Sequence, residues 1–184
     1  MTLSGSLPRY HSIRLPGYDY SQAGAYFMTI CTYNRQLLYG EIHDGEIHLN
    51  SVGMMVEKTW SEIPDHFLNV KLGEFVVMPN HIHGIIEIIL PDVEARHAVP
   101  LHEETFEAFG KPVPGSIPTI IRSFKSAASK RYHELIHNDT SHLWQRNYYE
   151  HVIRDEIDYQ AIHDYIMTNP LNWEKDEENQ ISKL

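Results

Sequence analysis

The sequence predicts an α+β fold in which an antiparallel β-sheet is backed by helices. Two hairpin signals and one fact of size carry that prediction. Asp44-Gly45 and Pro79-Asn80 each separate two short runs suited to strands, and strands joined by so short a turn pair antiparallel. A chain of 184 residues buries roughly 70% of the surface it exposes when unfolded, so one domain can hold a core without a disulfide or metal staple.

The elements follow in order. Residues 1–24 are rich in Gly, Ser, Pro and Tyr and read as an irregular N-terminal arm, with no apolar stretch of the secretory-leader type. Residues 25–33, AYFMTICTY, are dense in β-branched and aromatic types and read as a strand. Residues 37–49 read as a hairpin about Asp44-Gly45, because that pair supplies the positive φ angles of a type I′ turn. Asn50 or Ser51 caps a helix to about residue 62, with Val52, Met55, Val56, Thr59, Trp60 and Ile63 at helical spacing and Pro64 as its stop. Residues 70–90 read as two strands joined at Pro79-Asn80. In the second strand Ile82, Gly84, Ile86, Ile88 and Leu90 fall on one face, and His81, His83 and Glu87 on the other.

Residues 91–115 are acidic, hold four prolines and read as an insertion or loop. Residues 116–137 read as an amphipathic helix with Ile117, Ile120, Ile121, Phe124, Ala128 and Tyr132 on its apolar side. Residues 143–153 read as a short strand or extended segment. The last helix runs from 155 to about 168, with Asp155 and Asp158 as a capping arrangement and Pro170 as its end. Residues 174–184 read as a polar tail. A single domain is thus expected over 25–173.

Composition excludes some classes and qualifies others. No apolar run approaches the roughly 18 residues of a membrane span. Cys31 is the only cysteine, which excludes an internal disulfide framework and a multi-cysteine metal site and suits a reducing cytosol. The formal net charge is −10, which by itself argues against nucleic acid. That charge is uneven, at +2 over 1–40, −9 over 41–115, +3 over 116–154 and −6 over 155–184. A phosphate backbone responds to local patches, and the basic block holds Arg122, Lys125, Lys130, Arg131, Arg146 and Arg154.

Two constellations carry chemistry. His81 and His83 lie two apart on a strand, so both imidazoles leave one face and can share a divalent ion, most of its coordination sphere staying open to substrate. Among 13 histidines, chance supplies about one such pair, so spacing alone is weak. Tyr165 and Asn169 lie four apart on a helix and share a face. A tyrosine hydroxyl can attack phosphorus, and the amide oxygen of Asn169 can reach the same metal. Composition does not choose among Tyr148, Tyr149, Tyr159 and Tyr165.

Four segments taken together do more. MPNHIHGIIEI at 78–88 resembles the His-hydrophobic-His signature of the single-tyrosine HUH transposases, which include the small insertion-sequence transposases and the REP-associated tyrosine transposases. WQRNYYEHVIRDEIDYQAIHDYIMTNPLNW at 144–173 resembles the tyrosine-helix block of that family. IPTIIRSFKSAASKR at 117–131 and GYDYSQAGAYFMTICTYNRQLLYGEI at 17–42 are similar to its remaining blocks, in the same order.

The resemblance implies a ferredoxin-like HUH fold with the tyrosine on a C-terminal helix. It implies Tyr165 as nucleophile, His81, His83 and Asn169 as ligands of Mg²⁺ or Mn²⁺, and single-stranded DNA bearing hairpins as partner. It implies cutting and rejoining through a 5′-phosphotyrosine, with activity falling in mild acid as the histidines protonate. The six basic residues would grip the hairpin. A homodimer or a monomer is compatible with the family, and a cytoplasmic, nucleoid-associated location is expected. Two other classes stay open: a non-catalytic DNA-hairpin-binding descendant, and a metal-dependent phosphodiesterase in which water attacks.

Overall fold

The computed structural model describes residues 17–89, 113–138 and 140–179. The strands are β1 (Gly24–Cys31), β2 (Gly40–His43), β3 (Glu46–Leu49), β4 (Val70–Met78), β5 (His81–Ile88) and β6 (Tyr149–Ile153). The helices are α1 (Ser51–Ser61), α2 (Ile63–His66), α3 (Ile117–Ile136) and α4 (Glu156–Thr168), followed by a 3₁₀ segment, Pro170–Lys175. A four-stranded sheet runs β4-β5-β1-β6, and β2-β3 form a separate ribbon. Every pairing is antiparallel, as the hairpins require.

Local chemistry sets these boundaries. Asp44 and Gly45 take φ of 52° and 80° at the turn between β2 and β3. The Asn50 side chain accepts from the N–H groups of Val52 and Gly53 and starts α1, and Asp155 accepts from Asp158 to start α4. Each such bond satisfies a helix N–H that has no partner within the helix. α1 ends at Ser61 with Glu62 as its C-cap, just ahead of Pro64 as expected. Pro64 itself sits in the first turn of α2, where its missing N–H costs nothing. Pro170 likewise opens the 3₁₀ segment, with Asn169 still helical at φ −58° and ψ −43°.

The main core lies between the sheet and the α1/α3 pair, where Tyr26, Met28, Ile30, Val56, Trp60, Ile82, Ile86, Ile120 and Ile121 are fully buried. Trp60 meets Phe124 edge-on at 5.2 Å and stacks on Phe75 at 5.7 Å. Gly84 is required there, because a Cβ would lie 2.5 Å from Trp60 Cζ2. On the opposite face α4 packs through Ile166 onto Phe27 and Ile85, a much smaller cluster. β4 carries a register shift between Leu72 and Phe75. Gly73 in that bulge admits the Tyr159 hydroxyl, which would be 2.8 Å from a Cβ.

Residues on either side of the expected 25–173 unit also pack against it. Tyr20, assigned by sequence to the arm, is buried in the core, and its carbonyl accepts from Ile117 N at 3.0 Å. The tail is not uniformly solvated, since Asp176 and Asn179 are buried. Residues 91–112 of the acidic insertion lie outside the described residues.

Candidate active site

The Pro79-Asn80 turn and β5 present the two histidines. The turn is itself buried, with Asn80 1% exposed. Its carbonyls are satisfied from outside the hairpin, by Tyr39 N on Pro79 O at 3.0 Å and Thr32 N on Asn80 O at 2.9 Å. Asn80 Nδ2 donates to Glu178 O at 2.9 Å and to Arg35 O at 3.4 Å. That orients Asn80 Oδ1 as the acceptor toward His81 Nδ1 at 2.8 Å. His81 therefore carries its proton on Nδ1 and turns a lone pair outward on Nε2.

His83 pairs across the sheet with Thr29, and its Nδ1 lies 2.9 Å from Thr29 Oγ1. The two Nε2 atoms are 2.9 Å apart. A hydroxyl can donate or accept, so Thr29 supports either tautomer of His83, including the one that frees both Nε2 lone pairs at once.

α4 brings Tyr165 to this pair. The Tyr165 hydroxyl lies 3.2 Å from His83 Nε2, and its ring meets His83 and Phe27 edge-on at 5.1 Å and 6.0 Å. Tyr165 is 45% exposed overall. Tyr159, one of the tyrosines that composition left open, instead donates to Glu87 at 3.0 Å, and Tyr149 is exposed on β6.

Asn169 is 2% exposed and donates through Nδ2 to Asp176 Oδ2 at 2.9 Å. Its Oδ1 is buried with no hydrogen-bond partner among the described residues, an arrangement that is costly unless a donor or cation completes it. Asp176 is the residue the sequence reading missed. One ligand atom each from His81, His83 and Asp176 falls within 4.8 Å of the others. This His₂-carboxylate set, with an orphan amide oxygen adjoining it, suits a divalent ion. No spacing rule points to Asp176, which arrives from the far side of the 3₁₀ turn.

The electrostatics keep both imidazoles in the neutral form that a metal ligand requires. Burial, with a smaller contribution from the Arg35 charge, pushes His81 down to about 3. Burial and the neighbouring His81 hold His83 well below its usual range. Both histidines therefore stay neutral through mild acid, and the expected fall in activity near the ordinary imidazole pKa does not follow from their protonation. Burial and the negative charge of Asp176 raise the Tyr165 hydroxyl to about 12, against a lowering by the Asn169 hydrogen bond. Left alone, that phenol is a weaker nucleophile than a free one at neutral pH, and a nearby positive charge reverses the tendency.

The six basic residues divide. Lys125 donates to Gln145 O and to Arg146 O, and burial lowers it to about 8. Arg131 pairs with Glu62 at 2.6 Å and donates to Thr59 Oγ1 at 2.9 Å. These two are committed within the protein. Arg122, Lys130, Arg146 and Arg154 are exposed. Trp144, assigned by sequence to base stacking or core alike, is 8% exposed in the main core.

Comparison with known proteins extends this picture. An "Uncharacterized protein" of Haemophilus influenzae is 42% identical over 166 residues, covering 90% of this chain and 91% of that protein. A second protein of the same organism, named "Putative REP-associated tyrosine transposase", is 29% identical over 154 residues, covering 83% and 73%. A solved structure described as a REP-associated tyrosine transposase bound to a REP hairpin superposes with a TM-score of 0.57 at 18% identity, covering 89% of this chain and 74% of that one. No protein-family model matches the chain.

Proposed function

We propose that the chain belongs to the family of the REP-associated tyrosine transposases, which it resembles, and that it cuts and rejoins single-stranded DNA through Tyr165. The observation that carries this reading is the Tyr165 hydroxyl 3.2 Å from His83 Nε2, beside the His81, His83 and Asp176 cluster. The DNA partner is taken to be a single strand with a hairpin, in keeping with the hairpin on the solved relative.

In this reading the Tyr165 oxygen attacks phosphorus and the bond to the 3′-oxygen breaks. The phenol gives up its proton, and the leaving oxygen gains one as a free 3′-hydroxyl. The 5′ end stays on Tyr165 as a phosphodiester, so a second 3′-hydroxyl can reverse the step without ATP. His81, His83 and Asp176 would hold a divalent ion, Mg²⁺ or Mn²⁺, with Asn169 Oδ1 as a further donor. Such an ion neutralises charge on the reacting phosphate and eases ionisation of the phenol. Asn80 and Thr29 orient the imidazoles, and Phe27 packs against His83 and Tyr165. Arg122, Lys130, Arg146 and Arg154 would contact the DNA backbone. His81, His83, Asp176 and Tyr165 all come from one chain.

The test is a denaturing gel. Incubation with hairpin-bearing single-stranded DNA and Mn²⁺ is expected to give a covalent adduct. An adduct that persists in Tyr165→Phe removes Tyr165 as nucleophile. Cleavage with turnover but no adduct establishes attack by water instead, and binding without cleavage establishes the non-catalytic descendant.

A further inference from the structure

Arg35 sits beside the histidine pair and was not among the residues the sequence singled out for DNA. It lies in the short turn after β1, where Asn34 and Arg35 both take left-handed backbone, with φ of 53° and 54°. Two consecutive non-glycine residues in that region are uncommon and strained. The turn is closed by Arg35 N on Thr32 O at 3.1 Å and Thr32 Oγ1 on Gln36 O at 2.8 Å. It is joined to the histidine hairpin through Asn80, which donates to Arg35 O at 3.4 Å and accepts from His81 Nδ1 at 2.8 Å. One side chain thus couples the position of Arg35 to that of His81.

The guanidinium of Arg35 pairs with the Glu178 carboxylate, which also accepts from Cys31 Sγ at 3.3 Å. Glu178 N donates to Asp176 Oδ1 at 2.6 Å. The segment after the 3₁₀ turn therefore sets two carboxylates side by side, Asp176 against the histidines and Glu178 against Arg35. The Arg35 side chain is 27% exposed. The pair is largely shielded, with Glu178 at 22%, yet the guanidinium keeps an edge open to solvent and to a ligand. Strain of this kind is retained where it positions a functional group.

A guanidinium fork accepts two oxygens of a carboxylate or of a phosphodiester in the same way. We propose that Arg35 binds the DNA phosphodiester next to the one that reacts, and that Glu178 occupies the guanidinium when DNA is absent. This rests on the DNA-cleavage reading above. It adds a residue that positions the strand and a carboxylate that the strand must displace.

The experiment uses the full chain, a fluorescent hairpin-bearing single-stranded oligonucleotide, and chelator throughout, so that neither cleavage nor metal contributes. Binding is measured by anisotropy across a salt series. Arg35→Ala is expected to weaken binding about tenfold and to flatten the salt slope by about 0.7, the loss of one phosphate contact on a single strand. Arg35→Lys keeps the slope and recovers part of the affinity, because it retains the charge without the fork. Glu178→Gln is expected to bind several-fold tighter than the parent, and the gain should vanish in the double variant with Arg35→Ala.

Parental affinity and slope in Arg35→Ala overturn the assignment and leave the proposed chemistry standing, provided the parent still forms its adduct. Equal weakening by Arg35→Ala and Glu178→Gln also overturns it, since that is the result of an ion pair that only holds the fold. A parent that binds no single strand overturns this inference together with the function it rests on.

Discussion

On one face of the sheet, α1 and α3 close over Ile82, Gly84, Ile86 and Ile88 of β5 with aromatic and aliphatic side chains packed at contact distance. On the other face, α4 covers Ile85 through Ile166, and the same strand then presents His81 and His83 to Tyr165, Asn169 and Asp176. The first face is dominated by large apolar side chains and is rigid in its demands on volume. The second has a small apolar patch and a run of polar groups, one of them an acceptor without a partner among the described residues. A single strand with period-two alternation therefore separates the work of holding the fold from the work of arranging chemistry.

Substitutions on the two faces should separate activity from stability. The largest effect is expected for Tyr165→Phe, which should abolish the covalent adduct while moving the unfolding free energy by less than about 1 kcal/mol, because the residue is partly exposed. Gel assay and urea melts on one preparation check both halves. Trp60→Ala on the closed face should do the reverse. It should cost about 3–5 kcal/mol while the fraction that remains folded still forms the adduct. Gly84→Ala should cost about 1–3 kcal/mol by overpacking against Trp60, read from the same melts.

Acid sharpens the contrast from the polar side. His81 and His83 are held neutral in the folded protein, whereas in the unfolded chain they take up protons near pH 6.5. The unfolded state then binds more protons, so stability is complete above about pH 6.5 and declines as pH falls toward 3. The decline is up to about 1.4 kcal/mol per pH unit for each histidine. Chelator-treated protein melted at pH 7 and pH 5 should show it, and His81→Ala,His83→Ala should flatten the dependence. The smallest effect belongs to Arg131→Ala, whose partly exposed pair with Glu62 should be worth about 0–1 kcal/mol and should leave adduct formation unchanged.

Much of the frame was legible because it is local. Asp44-Gly45 announces its turn by needing positive φ, Asn50 and Asp155 announce caps by their side-chain oxygens, and β5 announces two faces by alternation. The same alternation placed His81 and His83 together, and helical spacing placed Asn169 one turn beyond Tyr165. Prolines were less informative, since Pro64 and Pro170 fit both the end of one helix and the first turn of the next.

The sequence by itself determined which residues share an element and a face, because strand and helix periods are properties of the backbone. It also put the two candidate histidines on one strand face and Tyr165 with Asn169 on one helix face. Only the tertiary structure decided that α4 crosses the histidine face close enough for Tyr165 to reach His83. It alone brought Asp176 back from the tail to the same point, and it committed Lys125 and Arg131 to contacts within the fold. Those outcomes depend on how separate elements pack, and residues distant in sequence carry no period that links them.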